Sequence, residues 1–148
     1  MKIDKYECSF PGKLWVTVLD YNEPLNKLIN KFTFKKNIKG FDESIKDIEL
    51  LLSEDKNKAY AACYPVMENS TGEMGVLTII FDDIDVDVIS HEAVHVADYF
   101  FEVGGIYGED FSEGNEAYAY LVGWSAGNIS KTIIDYERRR DKKQQERI

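Results

Sequence analysis

The run DVDVISHEAVHVADYFFEVGG, residues 85–105, constrains the fold of this chain more than any other stretch. It contains no proline, and no glycine before its closing pair. Its apolar residues fall almost all round a helical wheel, which predicts one long helix buried within the domain. Asp85 or Asp87 is placed to cap its start, and Gly104 to serve as the left-handed residue that ends it.

The segments before this helix are shorter and more varied. KLWVTVLD (13–20), rich in β-branched and aromatic residues, predicts a strand. NEPLNKLINKF (22–32) places Leu25, Leu28, Ile29 and Phe32 at helical spacing, with Asn22 as cap and Pro24 in the first turn. ESIKDIELLLSE (43–54) predicts a second short helix. AYAACYPVM (59–67) and GVLTIIF (75–81) predict two strands joined by the turn-rich ENSTGEM, with Pro65 favouring an edge position for the first. After the loop GIYGEDFSEGN, a second long helix is expected from about Ser112, through EAYAYLVGWSAG and on toward residue 148. There are no repeats and no linker. The expectation is therefore one α+β domain over 1–148: a sheet-rich part (1–83) with a small antiparallel or mixed sheet, then two long helices, 84–104 and 112–148.

Charge narrows the classes of partner. The chain of 148 residues carries a formal net charge of −9. Segment 137–147, ERRRDKKQQER, has six basic and three acidic residues, leaving −12 on the rest. So acidic a body repels phosphate backbones, which argues against nucleic acid as a ligand. The basic segment reads as a solvated helix with i,i+4 ion pairs. The N-terminus has no apolar signal core and no apolar run is long enough to span a bilayer, so the expected location is cytoplasmic, with no membrane partner. Cys8 and Cys63 are the only cysteines and form no C-x-x-C motif. They can pair, although a chain this long does not need a disulfide; Cys63 reads as a small buried strand residue. The four acids of FDDIDVD (81–87) lack the glycine and terminal glutamate of an EF-hand, and helix capping accounts for them more simply.

The chemistry concentrates in HEAVH. His91 and His95 are the only histidines, four apart on the long helix, hence on one face and one turn apart. Each can direct a ring nitrogen at a single Zn²⁺, one ion per chain. Glu92 lies about 100° round the helix, beside such a metal, where a general base for a bound water must stand. Two histidines placed at random in such a chain fall four apart with this glutamate about once in 800 chains. A zinc site needs a third ligand. SEGNEAYAY offers Glu113 and Glu116, with Glu109 and Asp110 nearby. Glu116 is the stronger candidate, because it opens the largely apolar run 117–124, where a carboxylate must be paired or ligating.

DVISHEAVHVADY followed by GNEAYAY resembles the thermolysin-type zinc metallopeptidases, the gluzincins, over residues 87–124. The resemblance implies zinc held by His91, His95 and Glu116, with Glu92 as base and proton shuttle. It also implies a zincin-like fold of minimal, single-domain size, in which an edge strand ahead of the motif helix holds an extended peptide or protein substrate. GVLTIIF is positioned to be that strand. Where such enzymes often carry an aspartate four residues after the third ligand, this chain has Tyr120; Asp98 is a possible substitute for orienting an imidazole. The oxyanion histidine of the larger enzymes has no counterpart, which leaves a tyrosine (Tyr107 or Tyr118, with Tyr120 as a further second-shell or oxyanion candidate), a backbone N–H or a distant arginine. A looser resemblance is to small phage or prophage proteins of unassigned function with H-E-x-x-H followed by E-x-x-A-Y-L-V-G-W, here Glu116 and Ala119 to Trp124. That kinship implies the alternative, a zinc-binding assembly or interaction protein without turnover. A metal-free interaction domain is the third reading.

Overall fold

A five-stranded sheet of order β1-β2-β5-β4-β3 organises the protein in a computed structural model that describes residues 1–20, 22–38, 44–81 and 85–148. β1 (Ile3–Glu7) and β2 (Lys13–Val18) pair antiparallel across a turn closed by Gly12 at φ 101°, a backbone angle that favours glycine. β2 runs parallel to β5 (Met74–Ile80), and β5 runs antiparallel to β4 (Ala61–Glu68). The short β3 (Phe32–Phe34) pairs antiparallel with the far end of β4. The sheet is thus mixed, and the architecture α+β as expected.

Helices cover both faces. Leu14, Val16, Val76 and Ile80 point to one face, under α3 (Val86–Gly104) and α4 (Glu116–Glu146). Trp15, Leu77, Ile79 and Val66 point to the other, under α1 (Asn26–Lys31) and α2 (Ile48–Lys58). The two side-chain sets alternate along each strand, as pleating requires. α3 and α4 pack on each other and share the first core, with Phe100 edge-on to Trp124. Every residue from Arg138 onward is exposed. No helix among the described residues is long and apolar enough to cross a membrane.

Several sequence expectations shift. GVLTIIF is not an edge strand. Residues 75–80 are all buried, and β5 sits between β2 and β4. Its apolar run, interrupted only by the buried Thr78, is the signature of a strand covered on both faces. The helix expected over 22–32 is cut to Asn26–Lys31 with Leu25 rather than Asn22 at its N-cap, because Phe32 and Phe34 extend into the aromatic cluster with Trp15 and Tyr64. β1 was not expected: IDKYE is half-buried and mostly polar, so its pattern is weak. α2 runs from Ile48 to Lys58, later than expected; the expected start at Glu43 lies outside the described residues. α4 begins at Glu116 rather than near Ser112, after a 3-10 turn at Phe111–Glu113. The left-handed residue ending α3 is Gly105 (φ 65°), with Gly104 as the last helical residue. Asp85 occupies the N-cap position of α3 but makes no side-chain capping bond; Asp82 and Asp83 lie outside the described residues. Cys8 and Cys63 are free thiols.

Gly75 makes the parallel β2–β5 pairing possible. A Cβ there would lie 2.2 Å from the Lys13 carbonyl oxygen and 2.5 Å from the Trp15 ring. Gly75→Ala is expected to cost at least about 3 kcal/mol in urea unfolding or to yield no folded protein. Gly72→Ala, at φ 75° with open space around it, should cost only about 1–2 kcal/mol.

Candidate metal centre

The rotation of α3 is set by Ala93, Val96, Ala97 and Phe100, all fully buried at helical spacing. With that face turned to the core, His91, His95, Asp98 and Glu102 form an exposed stripe along the helix. The two imidazoles meet. Their Nε2 atoms are 3.2 Å apart, and the rings stand edge-on at 74° with centroids 4.8 Å apart. Two nitrogens bound to one tetrahedral zinc at about 2.0–2.1 Å would lie about 3.3–3.4 Å apart, so the pair fits a shared ion. Without an ion, one N–H···N hydrogen bond accounts for the same approach.

Glu92 turns the other way, toward the sheet, and is 4% exposed. Its Oε2 lies 3.1 Å from the Sγ of Cys63 on β4. That sulfur is 3.2 Å from the Thr78 hydroxyl, directly across on β5. Burial, followed by the negative charge of Glu92, pushes the Cys63 thiol well up from its ordinary range, so it stays protonated at neutral pH. Nothing in the linear sequence joins Cys63, Thr78 and Glu92; only the β4–β5 register and the docking of α3 do so.

A groove of about 380 Å³ runs between the α3 stripe and the sheet, lined by Ala61, Cys63, Pro65, His91, Glu92 and His95 among others. It leads into a larger, mainly apolar hollow of about 750 Å³ that includes Met67, Met74, Tyr99 and Val103. Among the described residues, β4 is open beside the groove. β3 pairs only with residues 66–68, and Lys35 N–H reaches the Pro65 carbonyl. Pro65 has no N–H to continue that ladder. Among the described residues no strand pairs with residues 61–64 on this side. The alternation of the ladder turns the backbone groups of Ala61 and Cys63 outward, on the same side as the Pro65 carbonyl. Among the described residues, Pro65 thus marks where β4 becomes an edge.

The remaining candidates are more scattered. Glu116 is exposed on the first turn of α4, after Asn115 at φ 43°. Among the described residues, no group of three or more His, Cys, Asp or Glu side chains is arranged to hold a metal ion, so the histidines stand as a two-donor pair. Asp98 accepts a hydrogen bond from the Tyr118 hydroxyl at 2.8 Å, which ties α3 to α4 and joins two residues expected to act separately. Tyr107 is 90% exposed and Tyr120 64% exposed. Tyr107 lines a hollow with Asp98, Glu102 and Tyr118 on the outer side of α3. Glu109 donates its backbone N–H to Asn115, and Glu109, Asp110 and Glu113 are exposed.

No family model matches the chain, and no curated protein or solved structure is significantly similar to it.

The Tyr118–Asp98 bond has a pH signature. Burial and then Asp98 raise the Tyr118 pKa from 10.0 to about 12. A raised folded-state pKa contributes stability that is complete below the unfolded value and is lost as pH climbs through the folded one. Burial raises Tyr99 to about 12 as well. Urea unfolding should therefore show stability falling from about pH 10 to about pH 12, and Tyr118→Phe should flatten part of that fall. A variant with an unchanged alkaline profile would contradict this.

Proposed function

We propose that this protein is a zinc-dependent hydrolase, most consistent with a metallopeptidase of zincin-like fold. The observation that carries this reading is the convergence of the His91 and His95 Nε2 atoms at 3.2 Å, with Glu92 beside them on the same helix. His91 and His95 would hold one zinc per chain, with Glu116 as the third ligand. Bound there, zinc supplies Lewis acidity toward a carbonyl and toward water. Glu92 takes the proton of the attacking water and passes it to the leaving amine. Asp98, itself held by the Tyr118 hydroxyl, would orient the imidazole of His95, which leaves Tyr107 or Tyr120 to steady an oxyanion.

The substrate reading also changes strand. An extended peptide would add to the open part of β4 at residues 61–64, in place of β5, and pair with the outward backbone groups of Ala61 and Cys63. Its side chains would then lie toward the α3 stripe and the apolar hollow beyond. The free thiols suit a reducing, cytoplasmic location.

Metal analysis tests the first step. Purified protein should carry one equivalent of zinc; His91→Ala and His95→Ala should each lose most of it, and Glu116→Ala should weaken binding at least about tenfold. Glu92→Gln should keep the zinc yet lower cleavage of a quenched fluorescent peptide mixture by about 10²–10⁴-fold. Less than about half an equivalent in the wild type sinks the reading, as does full cleavage by Glu92→Gln.

One observation favours a second reading. The Tyr118 hydroxyl is given to Asp98 and Tyr107 lines a hollow apart from the histidine groove, so neither is set to steady an oxyanion there. A zinc-binding assembly protein without turnover would keep the stoichiometric metal, lose melting temperature on chelation, and cleave nothing in the same assay.

A further inference from the structure

We infer that Cys63 is a positioning residue for Glu92: its thiol donates a hydrogen bond to the carboxylate, and Thr78 holds the sulfur in place. The role in catalysis rests on the reading of Glu92 as base; the contact itself does not.

A carboxylate as buried as Glu92 needs donors, because its desolvation is costly unless hydrogen bonds replace the lost water. β4 supplies one. The Cys63 sulfur is 3.1 Å from Oε2 and 3.7 Å from the Glu92 backbone oxygen, so the shorter contact is to the charged acceptor. With the thiol proton committed there, the Thr78 hydroxyl, 3.2 Å away, is the donor to sulfur. Cys63 and Thr78 are cross-strand partners, and Thr78 is fully buried with a β-branched side chain of few rotamers. The pair is therefore rigid, fixed to the centre of the sheet, and placed beneath the helix turn that carries His91 and Glu92.

This geometry excludes the more obvious use of a cysteine in a groove. A nucleophile needs the thiolate, and burial beside Glu92 holds Cys63 in the thiol form. As a donor, the thiol anchors one carboxylate oxygen toward the sheet and leaves the other free for proton transfer. Orienting a base before substrate arrives removes a rotational search from the reaction, and small losses of alignment reduce rate steeply.

Two measurements in a Cys8→Ser background, where Cys63 is the sole thiol, test the inference. The first is the infrared S–H stretching band of the metal-free protein. It should lie below that of a solvent-exposed thiol and move up in Glu92→Gln, where the acceptor loses its charge. A band unaffected by Glu92→Gln overturns the inference, whether or not the protein is a hydrolase. The second is turnover of the quenched peptide mixture by zinc-loaded protein. Cys63→Ala should lower kcat by about 10- to 100-fold with KM and zinc content unchanged, and Cys63→Ser, which keeps a donor, should restore most of it. An undiminished kcat in Cys63→Ala, or no rescue by serine, overturns the positioning role and leaves the hydrolase reading standing. Absence of turnover in the parent protein overturns the hydrolase reading, and the infrared band then decides the contact alone.

Discussion

The contact of α3 with the sheet sets the geometry on which everything else in the candidate site depends. Ala93 and Ala97 are small enough to let the helix backbone approach the strands closely, while Val96 and Phe100 fill the space on either side; all four are fully buried. That packing fixes the helix about its own axis. Because residues four apart share a face and adjacent residues lie about 100° apart, one rotation decides two outcomes at once. His91 and His95 are carried to the rim, where their rings can meet, and Glu92 is carried inward onto Cys63. A rotation of one residue would bury an imidazole and expose the glutamate.

The second constraint is the single proline of β4. Without an N–H, Pro65 stops the β3 ladder, and the residues before it keep outward-facing backbone groups beside the histidine stripe. A bare edge is an aggregation hazard in most proteins. Here the stretch left open among the described residues is 61–64 and lies next to a helix, which suits a short extended ligand better than a second sheet.

How much of this was readable from sequence varied with how local each feature is. The α3 helix, its glycine end and the histidine pair follow from spacing alone, since a helix is determined by contacts three and four residues apart. The strands of β4 and β5 were readable as runs, but not their order in the sheet. GVLTIIF reads as an edge only through the resemblance; its apolar run, interrupted by Thr78 alone, already marks a strand with both faces covered. β1 escaped because a half-exposed strand such as IDKYE has little apolar pattern to detect. The early end of α1 is a tertiary override: Phe32 has helical spacing with Leu28 and Ile29, yet its ring is held in the cluster with Trp15 and Phe34.

By itself, the sequence determined the elements whose period is written in neighbouring residues: a long helix, expected over 84–104 and buried all round but found with an exposed stripe, that brings two imidazoles onto one face, a long α4 with a solvated basic end, and apolar strands before them. Tertiary structure alone decided what those elements meet. It set β5 at the centre and β4 beside the groove, paired Tyr118 with Asp98 across α3 and α4, left Glu116 exposed at the start of α4, and put Cys63 and Thr78 beneath Glu92. The physical reason is range. Helix periodicity is a property of a dozen consecutive residues, whereas strand order, register and helix rotation are fixed by burying surfaces that lie tens of residues apart in the chain.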